Sequence, residues 1–296
     1  MKGLVFVLLE FTVFFWNVEN FFDPFDDPLK NDDDFTFQGV KHWTWKRFER
    51  KRDGIAKTII ATADRYGSLP LLVGLAEVEN RMVLRQLVGK SPLETFNYGF
   101  VHRESPDVRG IDVALLYRKD AFTPLRVDSL RVEGFSTRDI LHVEGRMRSG
   151  DTLHAVVVHL PSKLGGARAT DDRRKKAMAL LKHCTDSLLA LNPSAKIVVM
   201  GDFNDGPSSR RCGTIKFQGS WETIDKFITF NLNTRESIFS PPFLLEEDKS
   251  YLGVKPKRTY VGPRYNGGLS DHLPIVLEIN RPGMLWPVRP GSRLSR

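Results

Sequence analysis

The chain has 296 residues, above the common domain size but ordinary for one large α/β domain. Apolar residues make 41% of it and charged residues 27%, which provides for a substantial core and excludes wholesale disorder. Lys and Arg number 44 against 36 Asp and Glu, a net charge of +8 that favours anionic partners (nucleic acid, phospholipid headgroups, phosphorylated metabolites) without choosing among them.

Cys184 and Cys212 are too few for a disulfide framework or a cysteine-rich zinc site. No run of about 18 apolar residues exists, so no membrane-spanning helix is predicted. Lys2 followed by Gly3 to Leu9 has the outline of a short signal peptide. Glu10 breaks it, no small-x-small cleavage site follows, and Phe11 to Phe15 is rich in β-formers. The segment therefore reads as a buried first strand, with a shortened leader as the alternative. Location, cytoplasmic or exported, stays open.

An acidic loop from Asp23 to Asp34 comes next. From Trp45 to Ala63, Phe48, Ile55 and Ile59 recur at helical spacing among Lys46, Arg47, Arg50, Lys51, Arg52 and Lys57. Leu71 to Ala76 predicts a short buried strand ending at Glu77, and Asn80 to Val88 a short helix. Strands are predicted at 98–102, 111–118, 125–132, 140–146 and 153–160. A long helix near Asp171 to Ala190 carries Ala177, Leu181, Cys184 and Leu188 on one face. Ile197 to Met200 is an apolar strand that runs into Gly201-Asp202-Phe203-Asn204-Asp205. Thr223 to Phe230 and Leu273 to Ile279 are the last strands. Strands outnumber the three helices, which suits two packed sheets covered by a few helices. With no internal repeat and no mid-chain linker, residues 1–280 read as one domain. Residues 281–296, rich in Pro, Gly, Ser and Arg, read as a disordered tail.

Polar residues stand where apolar strands end. Asn17 and Glu19 follow the first strand and Glu77 the second; His159 ends Val156-Val157-Val158; Asp202 and Asn204 end the strand from Ile197; Asp271 and His272 precede the last strand. Strand ends converge on a sheet edge, so these groups can share one cleft. Carboxylates with amide oxygens make a hard-oxygen site suited to Mg²⁺ or Mn²⁺, and the histidines can transfer protons or stabilise charge. Taken singly, Gly-Asp-Phe-Asn is an ordinary turn and a lone histidine after a strand is usually structural. Five such places in succession outweigh those readings.

The order Trp16-Asn17-Val18-Glu19-Asn20, Ala76-Glu77-Val78, Val158-His159-Leu160-Pro161-Ser162, Gly201-Asp202-Phe203-Asn204, Ile224-Asp225 and Ser270-Asp271-His272 resembles the endonuclease/exonuclease/phosphatase superfamily, the DNase I-like fold. The likeness spans about residues 11 to 279. Asp112 to Arg118 and His159 to Gly166 further resemble a bacterial branch of it. The resemblance implies a four-layer α/β sandwich, two packed mixed β-sheets flanked by helices, and metal-dependent cleavage of a phosphoester. It implies Glu77 as the main metal ligand, with Asn17, Glu19 and Asp271 near the metal. Asp202 and Asn204 would position the attacking water and the phosphate. His272, oriented by Asp225, would act as base or transition-state stabiliser; His159 would hydrogen-bond a phosphate oxygen; Tyr117 would line the same cleft. Two features depart from the pattern. Glu19 stands where other branches often carry Asp, and the connection 205–222 is short.

Basic residues cluster at Lys46 to Lys57 and at Lys163 to Lys176, and Lys163 follows His159 by four positions. Arg258, with Tyr251, Tyr260 and Tyr265, is a candidate substrate rim. Such groups suit a nucleic-acid strand through phosphate contacts and stacking. The expectation is a nuclease. The alternatives are a phosphodiesterase or phosphatase acting on a lipid headgroup or sugar phosphate and, from another class, a non-catalytic anion- or nucleic-acid-binding protein on the same fold.

Overall fold

The structure, a computed structural model, describes residues 9–162 and 167–281. The start of the first segment at 1–8, the loop 163–166 with Lys163, and the tail from 282 onward lie outside the described residues. In chain order the elements are β1 (Leu9–Phe21), α1 (Trp45–Tyr66), β2 (Leu72–Val78), α2 (Arg81–Gly89), β3 (Tyr98–His102), β4 (Asp112–Arg118), β5 (Phe122–Leu130), β6 (Ile140–Met147), β7 (Thr152–His159), α3 (Ala167–Leu191) and β8 (Lys196–Asp202). There follow β9 (Ser208–Ser209), β10 (Ile215–Phe217), β11 (Ser220–Glu222), β12 (Asp225–Phe230), β13 (Asn233–Ile238), β14 (Leu245–Glu247), β15 (Val254–Pro256), β16 (Tyr260–Val261), β17 (Arg264–Tyr265) and β18 (Ile275–Asn280).

One sheet runs β13-β18-β1-β2-β4-β3 and the other β12-β8-β7-β6-β5. Only the pairs β1–β2 and β7–β8 within them are parallel. Val13 and Phe15 of β1 face the second sheet and meet Leu115, Leu277, Val157 and Met200. Phe14 and Trp16 point the other way, into a layer with Phe48, Ile55 and Ile59 of α1 and Val83 and Leu87 of α2. Burial on both faces is why β1 reads as an unbroken apolar run rather than an alternation. On the outer face of the second sheet, Val156, Val158, Ile197 and Val199 lie under Ala177 and Leu181 of α3. The order of layers is helix, sheet, sheet, helix, which is the four-layer α/β sandwich expected.

Local signals set the helix ends. The Thr44 side chain caps the start of α1, and Gly67 at φ 78° closes it with an N–H bond to Ala63 O. Asn80 caps α2 through the N–H groups of Met82 and Val83. β13 was not expected from the sequence: it is a polar, half-buried edge strand whose Arg235 makes two bonds, 3.2 and 3.1 Å, to Glu278 on β18. The short 205–222 connection is ordered and folds into a small sheet, β10-β11-β9. Among the described residues no helix is long and apolar enough to cross a membrane.

Gly201, first residue of the Gly-Asp-Phe-Asn turn, pairs with Val158 across β7 and β8. A Cβ there would meet Val158 Cγ2 at 2.2 Å and Val158 O at 2.4 Å, and the backbone oxygen cannot step aside. Gly201→Ala is expected to lose about 1–3 kcal/mol of stability, read as a lower urea midpoint. An unchanged midpoint would mean that the β7–β8 approach is not a constraint.

Candidate active site

Parallel pairing delivers the polar residues to one place. β1 and β2 run together with Asn17 opposite Ala76, so Asn17 and Glu77 leave the first sheet at the same rim. β7 and β8 run together with His159 opposite Asp202, and Asp225 at the start of antiparallel β12 also pairs with Asp202. The segment before β18 adds Asp271 and His272 from the first sheet. Six strand ends therefore meet at one edge of the layer between the sheets.

The backbone is bent to aim them. Glu19 (φ 49°), Asn20 (φ 54°), Glu77 (φ 61°) and Asn204 (φ 50°) all adopt the left-handed conformation, which costs non-glycine residues about 1–3 kcal/mol each. At Glu77 the register of β2 slips between Ala76 and Val78, a bulge that redirects the side chain. The strain is held by local bonds: Asn20 N–H to Glu77 Oε2 (2.9 Å), Glu19 N–H to Asn17 Oδ1 (3.0 Å) and Asn204 N–H to Asp202 Oδ1 (2.8 Å).

Asn17 Nδ2 donates to Asp202 Oδ2 (3.1 Å) and reaches Glu77 Oε1 (3.4 Å), bridging the sheets. His159 Nε2 lies 3.5 Å from Asp202 Oδ2 and 3.9 Å from Glu77 Oε1. His272 Nδ1 bonds Asp225 Oδ2 at 2.8 Å, and its Nε2 stands 3.9 Å from both Asp202 Oδ2 and Asp271 Oδ1. Ser270 Oγ receives the His272 N–H and donates to Asn17 O, while Thr214 Oγ1 accepts the N–H groups of Ile224 and Asp225. Thr214 thus gives the short 205–222 connection a task, which is to fix Asp225.

These groups titrate far apart. Burial opposes a charge on His272, yet Asp225, Asp202 and Asp271 hold its imidazole well above the ordinary value. Burial, with the positive charges of Arg138 and Arg109 and with His272, holds His159 well below. Burial and the neighbouring Asp225 push Asp202 up to about 7. At neutral pH the site pairs an imidazolium, a neutral imidazole and a carboxylate poised to exchange a proton.

Several expected residues stand differently. Both Glu19 oxygens are engaged, Oε1 by Arg258 Nε (2.9 Å) and Oε2 by Thr259 N–H (2.8 Å), and Arg258 also grips Asp271 Oδ2 (3.0 Å). A metal would compete with that guanidinium for Glu19, whereas Arg258 takes only Oδ2 of Asp271. Asn17 turns its amide nitrogen, not its oxygen, to the carboxylates. Asn204 spends one N–H on Leu160 O at 2.9 Å, tying the ends of β7 and β8. Tyr117 is a correction. Antiparallel β4 sets Asp112 beside Val78 and Tyr117 beside Leu72, so Tyr117 lies at the opposite end of the sheet, 6.0 Å from the Phe122 ring. Arg258 does sit on the rim, half-exposed.

The basic stretch of α1 is only partly solvated: Lys46, Arg50 and Lys57 are exposed, and the other three are engaged with the fold. Lys51 is buried, and its Nζ donates to Glu19 O, Thr259 Oγ1 and Leu269 O. Arg52 pairs with Asp53 and reaches Gln86, and Arg47 lies 4.5 Å over the Tyr265 ring. Sequence reasoning missed Arg138, a buried arginine that donates Nε to His159 O (3.2 Å) and a second nitrogen to Leu160 O (2.7 Å), with Asp107 at 3.0 Å. It also missed Arg109, half-exposed beside Asp107. No periodic signal marks residues that act on backbone carbonyls.

A divalent ion fits this donor set. Glu77, Asp202 and Asp271 offer hard oxygens, and ligand atoms of Asp202, Asp225 and His272 lie within 4.8 Å of one another. Asp225 Oδ1 is buried without a protein partner, and Asp202 is forced towards its neutral form, so the site holds more negative charge than its own cations balance.

Comparisons with known proteins agree with this architecture. The sequence profile of the Endonuclease/Exonuclease/phosphatase family matches residues 12–215 and 208–281. Truncated TDP2 of Caenorhabditis elegans is similar in structure, with TM-score 0.57 and 17% identity over 92% of this chain and 97% of that one. A mannosyl-6-phosphatase of Bacteroides thetaiotaomicron gives TM-score 0.56 and 14% identity over 91% and 99%. The catalytic domain of human nocturnin, with bound sulfate, gives 0.52 and 15% over 91% and 94%. No match was found among curated protein sequences. From strand order, strand-end residues and profile together, the chain belongs to the endonuclease/exonuclease/phosphatase family.

Proposed function

We propose that the protein is a divalent-metal-dependent phosphoester hydrolase and, within that class, a nuclease that cleaves phosphodiester bonds with an activated water. The observation that carries the reading is the meeting of Glu77, Asp202, His159 and the His272–Asp225 pair at one rim, drawn from both sheets.

A phosphodiester is anionic, so cleavage requires neutralised charge and an aligned water. Glu77, with an oxygen of Asp202 or Asp271, would hold a Mg²⁺ or Mn²⁺ ion, which would polarise the phosphoryl group and stabilise the leaving oxygen. Charged His272 faces the phosphoryl oxygens with Nε2, its ring fixed by Asp225 at Nδ1, and stabilises charge that builds in the transition state. Asp202, buried at the strand end 3.9 Å from His272 Nε2, accepts the proton of the attacking water. His159, kept neutral, hydrogen-bonds a non-bridging oxygen. The second N–H of Asn204 is left for water or phosphate. Arg258 and Arg109, each about half-exposed at 50% and 44% of the side chain, supply rim charge for neighbouring phosphates and support a polymeric substrate.

Hydrolysis of bis(p-nitrophenyl) phosphate is expected to need Mg²⁺ or Mn²⁺, stop with chelator, and vanish in His272→Ala. Asp225→Asn should lower kcat about a hundredfold or more with little change in KM. Activity on phosphomonoesters without cleavage of plasmid DNA or RNA would replace the nuclease reading with a phosphatase.

Affinity for an oligonucleotide, measured in Ca²⁺ to suppress cleavage, is expected to fall steeply with salt. Arg109→Ala should reduce the slope by about one unit. A flat wild-type response would reject a nucleic-acid substrate.

Asp202 and His272 both bind their proton more tightly folded than unfolded. Each therefore stabilises the fold fully below its unfolded value and loses that contribution as pH rises through its folded value. In chelator, Asp202→Asn should gain thermal stability relative to wild type as pH rises from about 4 to about 7. A constant difference in Tm across that range would contradict the raised value.

A further inference from the structure

Outside the phosphoester site, one cluster of ligating side chains contains an unsatisfied buried atom. β3 ends at His102 and β4 begins at Asp112, with Glu104 in the loop between them. A ligand atom from each of the three lies within 4.8 Å of the other two. His102 pairs with Ala114, which belongs to the layer under α1 and α2, and Asp112 stands two positions before Ala114 on β4. Asn17 continues the alternation of Val13 and Phe15 into the layer between the sheets. The two clusters therefore use opposite faces of the first sheet and share no residue.

Both oxygens of Asp112 accept hydrogen bonds, Oδ1 from Ser105 N–H (3.0 Å) and Oδ2 from His102 Nε2 (3.1 Å). With Nε2 carrying the proton, the neutral imidazole keeps its lone pair on Nδ1. That atom has no partner and the side chain is fully buried; the polar atom facing it is Glu104 Oε1, at 3.8 Å.

We propose that His102 Nδ1 and the Glu104 carboxylate form a second cation site for a borderline transition-metal ion of the Zn²⁺ class, with Asp112 orienting the imidazole from behind. Ligands about 2.0–2.2 Å from one tetrahedral ion stand roughly 3.3–3.5 Å apart, a few tenths of an ångström inside the spacing found, which the exposed Glu104 can close. An imidazole with a carboxylate favours such an ion over Mg²⁺ or Ca²⁺. A carboxylate that receives the other ring N–H fixes the tautomer and strengthens the ligand. Glu104 is 59% exposed, which leaves it free to close over an ion. The bound ion would clamp the 103–111 loop. That loop also carries Asp107, which holds Arg138 against the His159 carbonyl.

The test is a calorimetric titration of Zn²⁺ into the full chain in excess Mg²⁺, with circular dichroism to check folding. The expected result is a Zn²⁺ site whose Kd rises by about tenfold or more in Glu104→Gln and in His102→Gln, and about 10–100-fold in Asp112→Asn. The same site should persist in Glu77→Gln. If His102→Gln fails to fold, the exposed Glu104→Gln carries the test. No Zn²⁺ binding in excess Mg²⁺, or wild-type affinity in Glu104→Gln, would overturn the proposal. Loss of the Zn²⁺ site in Glu77→Gln with retention in Glu104→Gln would overturn it too, by placing the ion at the phosphoester centre. Absence of hydrolysis in every protein would count against the nuclease reading and leave this site standing.

Discussion

The hydrogen bond from His272 to Asp225, 2.8 Å long and buried, joins the two sheets at the rim where all the polar strand ends meet. His272 comes from the first sheet and Asp225 from the second, so the pair closes only when the apolar layer between them is in register. Neighbouring bonds depend on the same alignment: Trp16 Nε1 holds His272 O, Ser270 bridges to Asn17 O, and Thr214 fixes Asp225. A one-residue slip in either sheet would turn these side chains to the wrong face. Packing of Val13, Phe15, Val157 and Met200 is therefore a condition of the chemistry as well as of stability.

Buried cations near the rim serve the backbone as much as the carboxylates. Arg138 donates to the carbonyls of His159 and Leu160, and Lys51 to those of Glu19 and Leu269. These bonds satisfy carbonyls at strand ends where the ladders stop. The same charges act on the neighbouring groups: Arg138 helps keep His159 neutral, and Lys51 offsets part of the burial that raises Glu19. One set of side chains thus fixes both the shape of the turns and their protonation.

The fold was legible in the sequence wherever an apolar period stood between turn signals. β1, β2, β7 and β8 and the three helices fall within a few residues of the expected places, because burial on one or two faces dictates their composition. β13 was not legible, since an edge strand that buries little carries no such pattern. At the site, motif order brought out His159, Asp202, Asp225 and His272, but spacing could not reveal how hydrogen bonds are shared. Glu19 bound to the Arg258 guanidinium and the Thr259 N–H, and Asn17 presenting its nitrogen, follow from tertiary contacts alone. Tyr117 shows the reverse error: its position along the chain says nothing about which end of an antiparallel strand it occupies.

The pairing of β1 with β18 sets a timetable for synthesis. Leu9 lies opposite Asn280, so a central strand of the first sheet is translated long before one of its two partners. The second sheet draws on residues 122–230 and can assemble earlier. At about 5–20 residues per second, Phe14, Phe15 and Trp16 wait tens of seconds for their last neighbour, with a bare apolar edge open to other chains. His272 arrives in the same late segment. A nascent chain therefore holds an incomplete set of polar strand ends until His272 emerges, and the interval of greatest aggregation hazard is also the interval in which the rim is unfinished.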